Sequence, residues 1–89
     1  MSSRAYTVSV GRTAQKEIKS LDQSVRGRVI QALRSLAHDP RPPGCRKLVG
    51  SHHHRWRVRV GDYRVIYIVD DEGRVVEIVA VRHRSKAYE

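Results

Sequence analysis

The sequence predicts an α+β domain with the element order β-α-α-β-β-β, in which a two-helix hairpin packs on one face of an antiparallel sheet. Two neighbouring stretches in the first half space their apolar residues as helices do, and three stretches in the second half are patterned as strands. The chain has 89 residues, of which 39% are hydrophobic, enough for one core. We therefore expect a single domain over residues 1–89.

The first strand and the first helix follow from the pattern of residues 5–21. Ala5–Val10 alternates apolar and polar side chains, as a half-buried strand does, and Gly11 ends it. Thr13 is a suitable N-cap, because its hydroxyl can accept a hydrogen bond from a free backbone N–H. The helix should then run to about Leu21, with an apolar stripe that includes Ala14 and Ile18.

A second helix should start at Asp22 or Ser24 and end before Asp39-Pro40, because the residue before a proline avoids the α region. Its apolar stripe consists of Val25, Val29, Ala32, Leu33 and Leu36. The residues expected to face water are Arg26, Arg28, Gln31 and Arg34. The two helices form a hairpin in which each buries one side against the sheet.

Three strands follow the stiff connector Pro40–Gly44. Arg55–Val60 and Tyr63–Val69 are joined by a tight turn at Gly61-Asp62. Val75–Val81 is almost continuously apolar, which is typical of a strand covered on both faces. Short turns between consecutive strands predict an antiparallel meander.

Arginines alternate with apolar residues in the first of these three strands. Trp56, Val58 and Val60 share one face and can pack on the core, while Arg55, Arg57 and Arg59 share the other. Arg64 follows just past the turn. We expect the helices to cover the apolar face and the arginines to lie on the open face.

The charge indicates an anionic partner. Eighteen basic residues against nine acidic ones give a net charge of +9, and all but four of the basic residues are arginines. Arginine binds phosphate with a planar pair of donors and stacks on bases. Nucleic acid is the first candidate partner and an acidic protein the second. A protein that is merely basic is the third possibility.

Several classes of protein are not expected. Cys45 is the single cysteine, so no intramolecular disulfide can form, which fits a cytoplasmic location. There is no apolar run long enough for a membrane span and no apolar core of a secretion signal after Met1. Three consecutive histidines end at His54, but side chains of neighbouring residues do not converge on one ion. No metal or other cofactor is therefore expected.

One constellation could carry chemistry. Strand pairing should bring together the side chains of Arg57, Arg59, Arg64, His83, Arg84 and Tyr88. Arginines there could bind a phosphodiester and stabilise a pentacoordinate transition state, and a histidine could move a proton. Those are the parts of a metal-independent ribonuclease, in which the 2′-OH attacks the adjacent phosphorus. The alternative is that these residues are a solvated strand face, a strand end and a chain terminus.

The strings Lys47–Gly50, Trp56–Tyr67 and Val81–Tyr88 resemble the RelE branch of the RelE/ParE toxin family, and the likeness covers almost the whole chain. The resemblance implies the toxin of a type II toxin–antitoxin pair that cuts mRNA in the ribosomal A site, with rRNA contacts. It also implies an acidic antitoxin as partner, and operator DNA bound only through the toxin–antitoxin complex.

The resemblance also suggests roles for single residues. Arg64 matches an arginine that holds the scissile phosphate, Arg84 one that acts on the transition state or leaving group, and Tyr88 a tyrosine that orients the 2′-OH or stacks on a base. Arginines stand at 57 and 59 where some members have lysine, and arginine cannot serve as a base. We therefore assign the base role to His83. The expected RNA-binding residues are Arg55, Arg57, Arg59, Lys47 and Arg82.

Two other functions remain open at this point. A ParE-like protein would poison DNA gyrase and cut nothing, with the same fold and the same type of antitoxin. A catalytically inactive relative would bind only RNA or its antitoxin, which the absence of a lysine base at positions 57 and 59 keeps possible.

Overall fold

The computed structural model describes residues 5–48 and 54–86. It contains two α-helices and five strands. In chain order these elements are β1 (Thr7–Val10), α1 (Arg12–Lys19), α2 (Gln23–His38), β2 (Arg46–Lys47), β3 (Trp56–Val60), β4 (Tyr63–Asp70) and β5 (Val75–His83), with a single 3₁₀ turn at Arg84–Lys86. No helix in these two ranges is both long and apolar enough to cross a membrane.

The strands form one sheet in the order β1-β5-β4-β3-β2. β3, β4 and β5 pair antiparallel with their sequence neighbours, which confirms the predicted meander. β1 lies beside β5 and runs parallel to it, so the sheet is mixed and not wholly antiparallel. The two helices between β1 and the meander supply the crossover that parallel neighbours require. β2 was not predicted, because a strand of two residues carries no periodicity.

The ends of α1 differ from the prediction. Its N-cap residue is Gly11, in extended conformation and without a side-chain cap, so Thr13 lies inside the helix. The helix ends at Lys19, two residues before the predicted Leu21, with Ser20 as the C-cap. A glycine can start a helix without a side-chain cap at a small cost in stability.

Arg26 does not simply face water, as its position on the polar side of α2 had suggested. Its guanidinium donates hydrogen bonds to the carbonyl oxygens of Leu21 at 2.9 Å and Ile18 at 3.4 Å. These carbonyls lie at the C-terminal end of α1: Ile18 is in the last turn and also accepts from the Leu21 backbone N–H, and Leu21 lies two residues beyond the helix. Arg26 therefore joins the two helices.

The core lies between the helices and one face of the sheet. Tyr67, Val65, Val76 and Ile78 are fully buried there, together with Val29 and Leu36 of α2. Trp56, Val58 and Val60 pack against this core, as the alternation in β3 predicted. The register between β4 and β5 shifts between Ile66 and Tyr67. This bulge lets both Ile78 and Val81 face the core although their spacing is odd.

Candidate nucleic-acid interface

The face of the sheet opposite the helices carries arginines from four adjacent strands. In register, Arg46 is paired with Arg57, Arg59 with Arg64, and Arg64 with Arg82. Directly paired residues project to the same face. We call this set the arginine face: Arg46, Arg57, Arg59, Arg64 and Arg82. Arg57 and Arg59 of the predicted row therefore lie on the open face, and the set extends beyond them to β2 on one side and to β5 on the other.

Two apolar side chains lie beneath these arginines. Ile66 is 8% exposed and Ala80 is 2% exposed, although both lie on the open face and outside the core cluster on the helix side. Arginine can lay its methylene groups over apolar surface while its guanidinium stays in water. We infer that the neighbouring arginine stems shield these two residues, which also restricts where the guanidinium groups can lie.

The charges of the arginine face are crowded and mostly unpaired. The pKa of Arg57 is lowered from its ordinary value, chiefly by burial and then by the positive charges of Arg64, Arg46 and Arg59. Across residues 5–48 and 54–86, only Arg82 of the set has an ion-pair partner, the carboxylate of Glu17. Arg64 Nε is buried and has no hydrogen-bond partner. Like charges held together without counter-charges make an anion-binding surface.

A pocket of about 370 Å³ opens at one end of this surface. Its lining consists of Pro43, Gly44, Arg46, Arg57, Val58 and Arg59. Gly44 has φ +93°, a left-handed conformation that favours glycine, so the connector can turn tightly beside the arginines. The connector thus forms one wall of the pocket.

The connector is fixed to the sheet at two places. The buried Tyr67 Oη donates a 2.7 Å hydrogen bond to the carbonyl oxygen of Pro40. Arg41 binds the Asp71 carboxylate through both terminal nitrogens, at 2.8 and 3.2 Å, and its guanidinium lies 5.2 Å from the Trp56 ring centroid. These contacts hold the pocket wall in place from the helix side.

His83 does not join the arginine face. It is paired with Tyr63, whose side chain packs on the core side, and the two rings meet edge to face at 5.3 Å. Its Nδ1 accepts a hydrogen bond from the Ser85 backbone N–H at 3.2 Å. Ser85 Oγ lies 3.0 Å from the same nitrogen, so both the backbone and the side chain of Ser85 contact Nδ1. His83 lines a groove of about 620 Å³ beside α1, which it shares with Arg82, Lys86 and Tyr63.

The remaining predicted residues lie around these two surfaces. Arg84 is exposed in the 3₁₀ turn, and its backbone N–H donates to the Asp62 carbonyl at 2.8 Å, so it lies beside the β3–β4 turn. Arg55 directly precedes β3, and its buried Nε has no hydrogen-bond partner. Lys47 points to the helix side, where its ammonium lies 5.9 Å from the Trp56 ring centroid. Tyr88 lies outside the described residues.

Sequence reasoning missed two residues of this interface. Arg46 was not singled out, because its place opposite Arg57 depends on the unpredicted strand β2. Glu17 was not singled out, because a carboxylate on an amphipathic helix gives no sign of contacting a distant strand. Within the described ranges, no group of three or more His, Cys, Asp or Glu side chains could hold a metal ion. His52 and His53 of the histidine run lie outside those ranges.

Comparisons with known proteins place this geometry in a family. Residues 8–88 match the model of the ParE toxin of the type II toxin–antitoxin system parDE. Toxin RelG of Mycobacterium tuberculosis is 32% identical over 87 residues, covering 93% of this chain and 95% of the relative. Toxin RelE of the same organism is 30% identical over 87 residues, with coverages of 93% and 86%.

Solved structures agree with these matches. The toxin–antitoxin complex RelBE2 of Mycobacterium tuberculosis contains a chain with a TM-score of 0.81 and 30% identity, covering 90% of this chain and 99% of that one. The archaeal RelE–RelB complex of Pyrococcus horikoshii gives a TM-score of 0.80 and 30% identity, with coverages of 93% and 99%. The chain belongs to the RelE/ParE family and is a toxin of the type II toxin–antitoxin class.

Proposed function

We propose that this toxin is an endoribonuclease that cuts mRNA in the ribosomal A site and so inhibits translation in the cytoplasm. The observation that carries the proposal is the arginine face, where like charges are held together with a single carboxylate partner. Such a surface suits the phosphodiester backbone of single-stranded RNA and additional contacts to rRNA. The similarity to toxins RelG and RelE, at 32% and 30% identity, supports placing this chain in the RelE branch, to which we assign the nuclease activity.

The proposed reaction is attack of the ribose 2′-OH on the adjacent phosphorus with departure of the 5′-oxygen, and it uses no metal. Arg64 would hold the scissile phosphate, because it lies in register between Arg59 and Arg82 at the centre of the arginine face. Arg57 and Arg59 would stabilise the extra negative charge of the transition state. Arg84 would act on the leaving group, and Tyr88 would orient the 2′-OH or stack on a base.

As the general base, His83 would take the 2′-OH proton at Nε2 and, as the imidazolium, return a proton to the leaving 5′-oxygen. Nε2 can accept only in the tautomer with the proton on Nδ1. In that tautomer Nδ1 would lose the Ser85 backbone N–H bond and would donate to Ser85 Oγ, which lies 3.0 Å away. His83 and Arg64 lie on opposite faces of the sheet. An RNA that contacts both would therefore pass around the end of β5.

An acidic antitoxin is the proposed protein partner. Both solved relatives, from Mycobacterium tuberculosis and Pyrococcus horikoshii, are complexes of a toxin with an antitoxin. An acidic segment would complement the +9 charge of this chain. Operator DNA would then be bound only through the toxin–antitoxin complex.

The test is induction of the chain in bacteria, with mRNA ends and plasmid supercoiling mapped in the same cells. We expect cuts in phase with codons that disappear in Arg64→Ala. The matched control is Arg34→Ala, which removes an exposed arginine from α2 on the other side of the molecule. Intact mRNA with altered supercoiling and an SOS response would instead favour a gyrase poison. That alternative stays open because the chain also matches the ParE toxin family. Absence of any toxicity would indicate an inactive relative.

A further inference from the structure

The last part of β5 has a free edge beside α1. β1 pairs with β5 in parallel only as far as Val10 and Ile78. The backbone N–H groups of β5 beyond Ile78 that point to this edge therefore need other acceptors. α1 runs along this part of the strand and carries Glu17 to it.

The Glu17 carboxylate uses both of its oxygens at this edge. Oε1 accepts a 2.7 Å hydrogen bond from the backbone N–H of Val81. Oε2 accepts from Arg82 Nε at 3.2 Å, and the two side chains are only 27% and 36% exposed. One side chain thus ties α1 to the sheet and also holds a guanidinium.

Arg82 differs from the rest of the arginine face because of this contact. The other four members have no ion-pair partner among the described residues. Glu17 contacts Arg82 through Nε, so the two terminal nitrogens remain available for an anion. In register, Arg82 lies directly beside Arg64, the residue proposed to hold the scissile phosphate.

We propose that Glu17 is a positioning residue, which fixes the Arg82 guanidinium at the free edge of the arginine face, one strand away from Arg64, so that both arginines contact the RNA backbone. This inference rests on the proposed function. A glutamine could satisfy the Val81 N–H equally well, so the backbone contact alone gives no reason for a negative charge near a phosphate site. Restricting a long arginine side chain before binding lowers the entropy that is lost when the phosphate arrives.

The variant that separates the two contacts is Glu17→Gln. Its amide oxygen can still accept from Val81, but its charge-assisted bond to Arg82 is lost. We expect kcat/KM for ribosome-programmed mRNA to fall about 10- to 100-fold, the size of effect that misplacing a group produces. Glu72→Gln is the matched control, because it makes the same chemical change in the exposed β4–β5 turn. Glu17→Asp, which keeps the charge but is one methylene shorter, should cut at an intermediate rate.

A double variant tests whether Glu17 acts through Arg82. In an Arg82→Ala background, adding Glu17→Gln should change kcat/KM by less than about twofold, since residues that act through one contact are not additive. Equal losses from Glu17→Gln in the presence and absence of Arg82 would overturn the inference. So would a Glu17→Gln variant that cuts as well as the wild type.

A readout without cleavage keeps this inference separate from the proposed function. In ¹⁵N NMR spectra, the Arg82 Nε–H signal should exchange slowly in the wild type and rapidly in Glu17→Gln. It should also shift when a non-cleavable 2′-deoxy oligonucleotide is added to the wild type. If the wild type cuts no mRNA, the proposed function fails while this signal still decides the role of Glu17. An Nε–H signal that is unaffected by Glu17→Gln would refute that role.

Discussion

Replacing Arg57 by glutamine should weaken RNA cleavage and, at low salt, stabilise the fold. Arg57 faces Arg46 across the strand pair and has Arg59 and Arg64 as further positive neighbours, which lower its pKa. Each like-charge pair on a sheet face costs roughly 0.2–1 kcal/mol. Removing one member should relieve several such pairs, and the shorter glutamine still covers part of the apolar surface near Ile66.

The expected gain in the free energy of unfolding is about 0.5–1 kcal/mol at low ionic strength, after a deduction for the lost methylene contact. For a domain of this size that raises Tm by roughly 2–8 °C. The gain should disappear near 1 M salt, where the screening length is about 3 Å. Cleavage should fall about 10- to 100-fold, the equivalent of one charge-assisted hydrogen bond. The slope of log K against log salt for a single-stranded oligonucleotide should become shallower by about 0.7.

Thermal melts across a salt series and oligonucleotide titrations measure both effects. Arg34→Gln, on the exposed side of α2, serves as the control and should change neither the salt dependence of Tm nor RNA binding. A Tm of Arg57→Gln below that of the wild type at low salt would refute the reasoning. So would a difference in Tm that does not depend on salt, because the arginine face would then carry no electrostatic strain.

Two further predictions concern the contacts that hold the connector. Tyr67→Phe removes the hydrogen bond from a buried hydroxyl to Pro40 and should cost about 1–2 kcal/mol in urea unfolding. Because burial raises the pKa of Tyr67, stability of the wild type should fall as the pH rises above about 10. The variant should fall less steeply, and the part that remains includes Tyr6, whose pKa is raised by its hydrogen bond to Asp71. Asp71→Asn should lower Tm at pH 7, because Arg41 keeps the pKa of Asp71 below its ordinary value. The difference from wild type should shrink as the pH falls below about 4 and the wild-type carboxylate is protonated, and a difference that stays constant would exclude the ion pair as its cause.

The elements that local pattern determines were predictable. Alternation of apolar and polar residues fixed the two faces of β3, and Pro40 fixed the end of α2. The parallel placement of β1 and the short strand β2 were not predictable, because each depends on pairing with a strand far away in the sequence. The contacts of Arg26 and Glu17 have the same origin, since a charged residue on a helix does not show in the sequence what it will meet.

The faces on which Arg82 and His83 lie could not be predicted from the alternation within β5 alone. Val76 and Ile78 face the core, and simple alternation would place Arg82 on that side and His83 with the arginines. The bulge opposite Ile66 and Tyr67 reverses the alternation, so Arg82 joins the arginine face and His83 leaves it. One extra residue in β5 therefore decides which of two neighbouring side chains can reach a phosphate.

The crowding of the arginine face connects stability with binding. The core on the helix side holds these arginines together against their mutual repulsion, and burial and charge both oppose ionisation of Arg57. Any polyanion that binds the folded state relieves that repulsion and raises the free energy of unfolding by RT ln(1 + [L]/Kd). If the proposed function holds, binding of mRNA and binding of an acidic antitoxin would both relieve the same charge repulsion. The antitoxin could therefore oppose RNA binding by neutralising this surface, without needing to contact every residue that takes part in the chemistry.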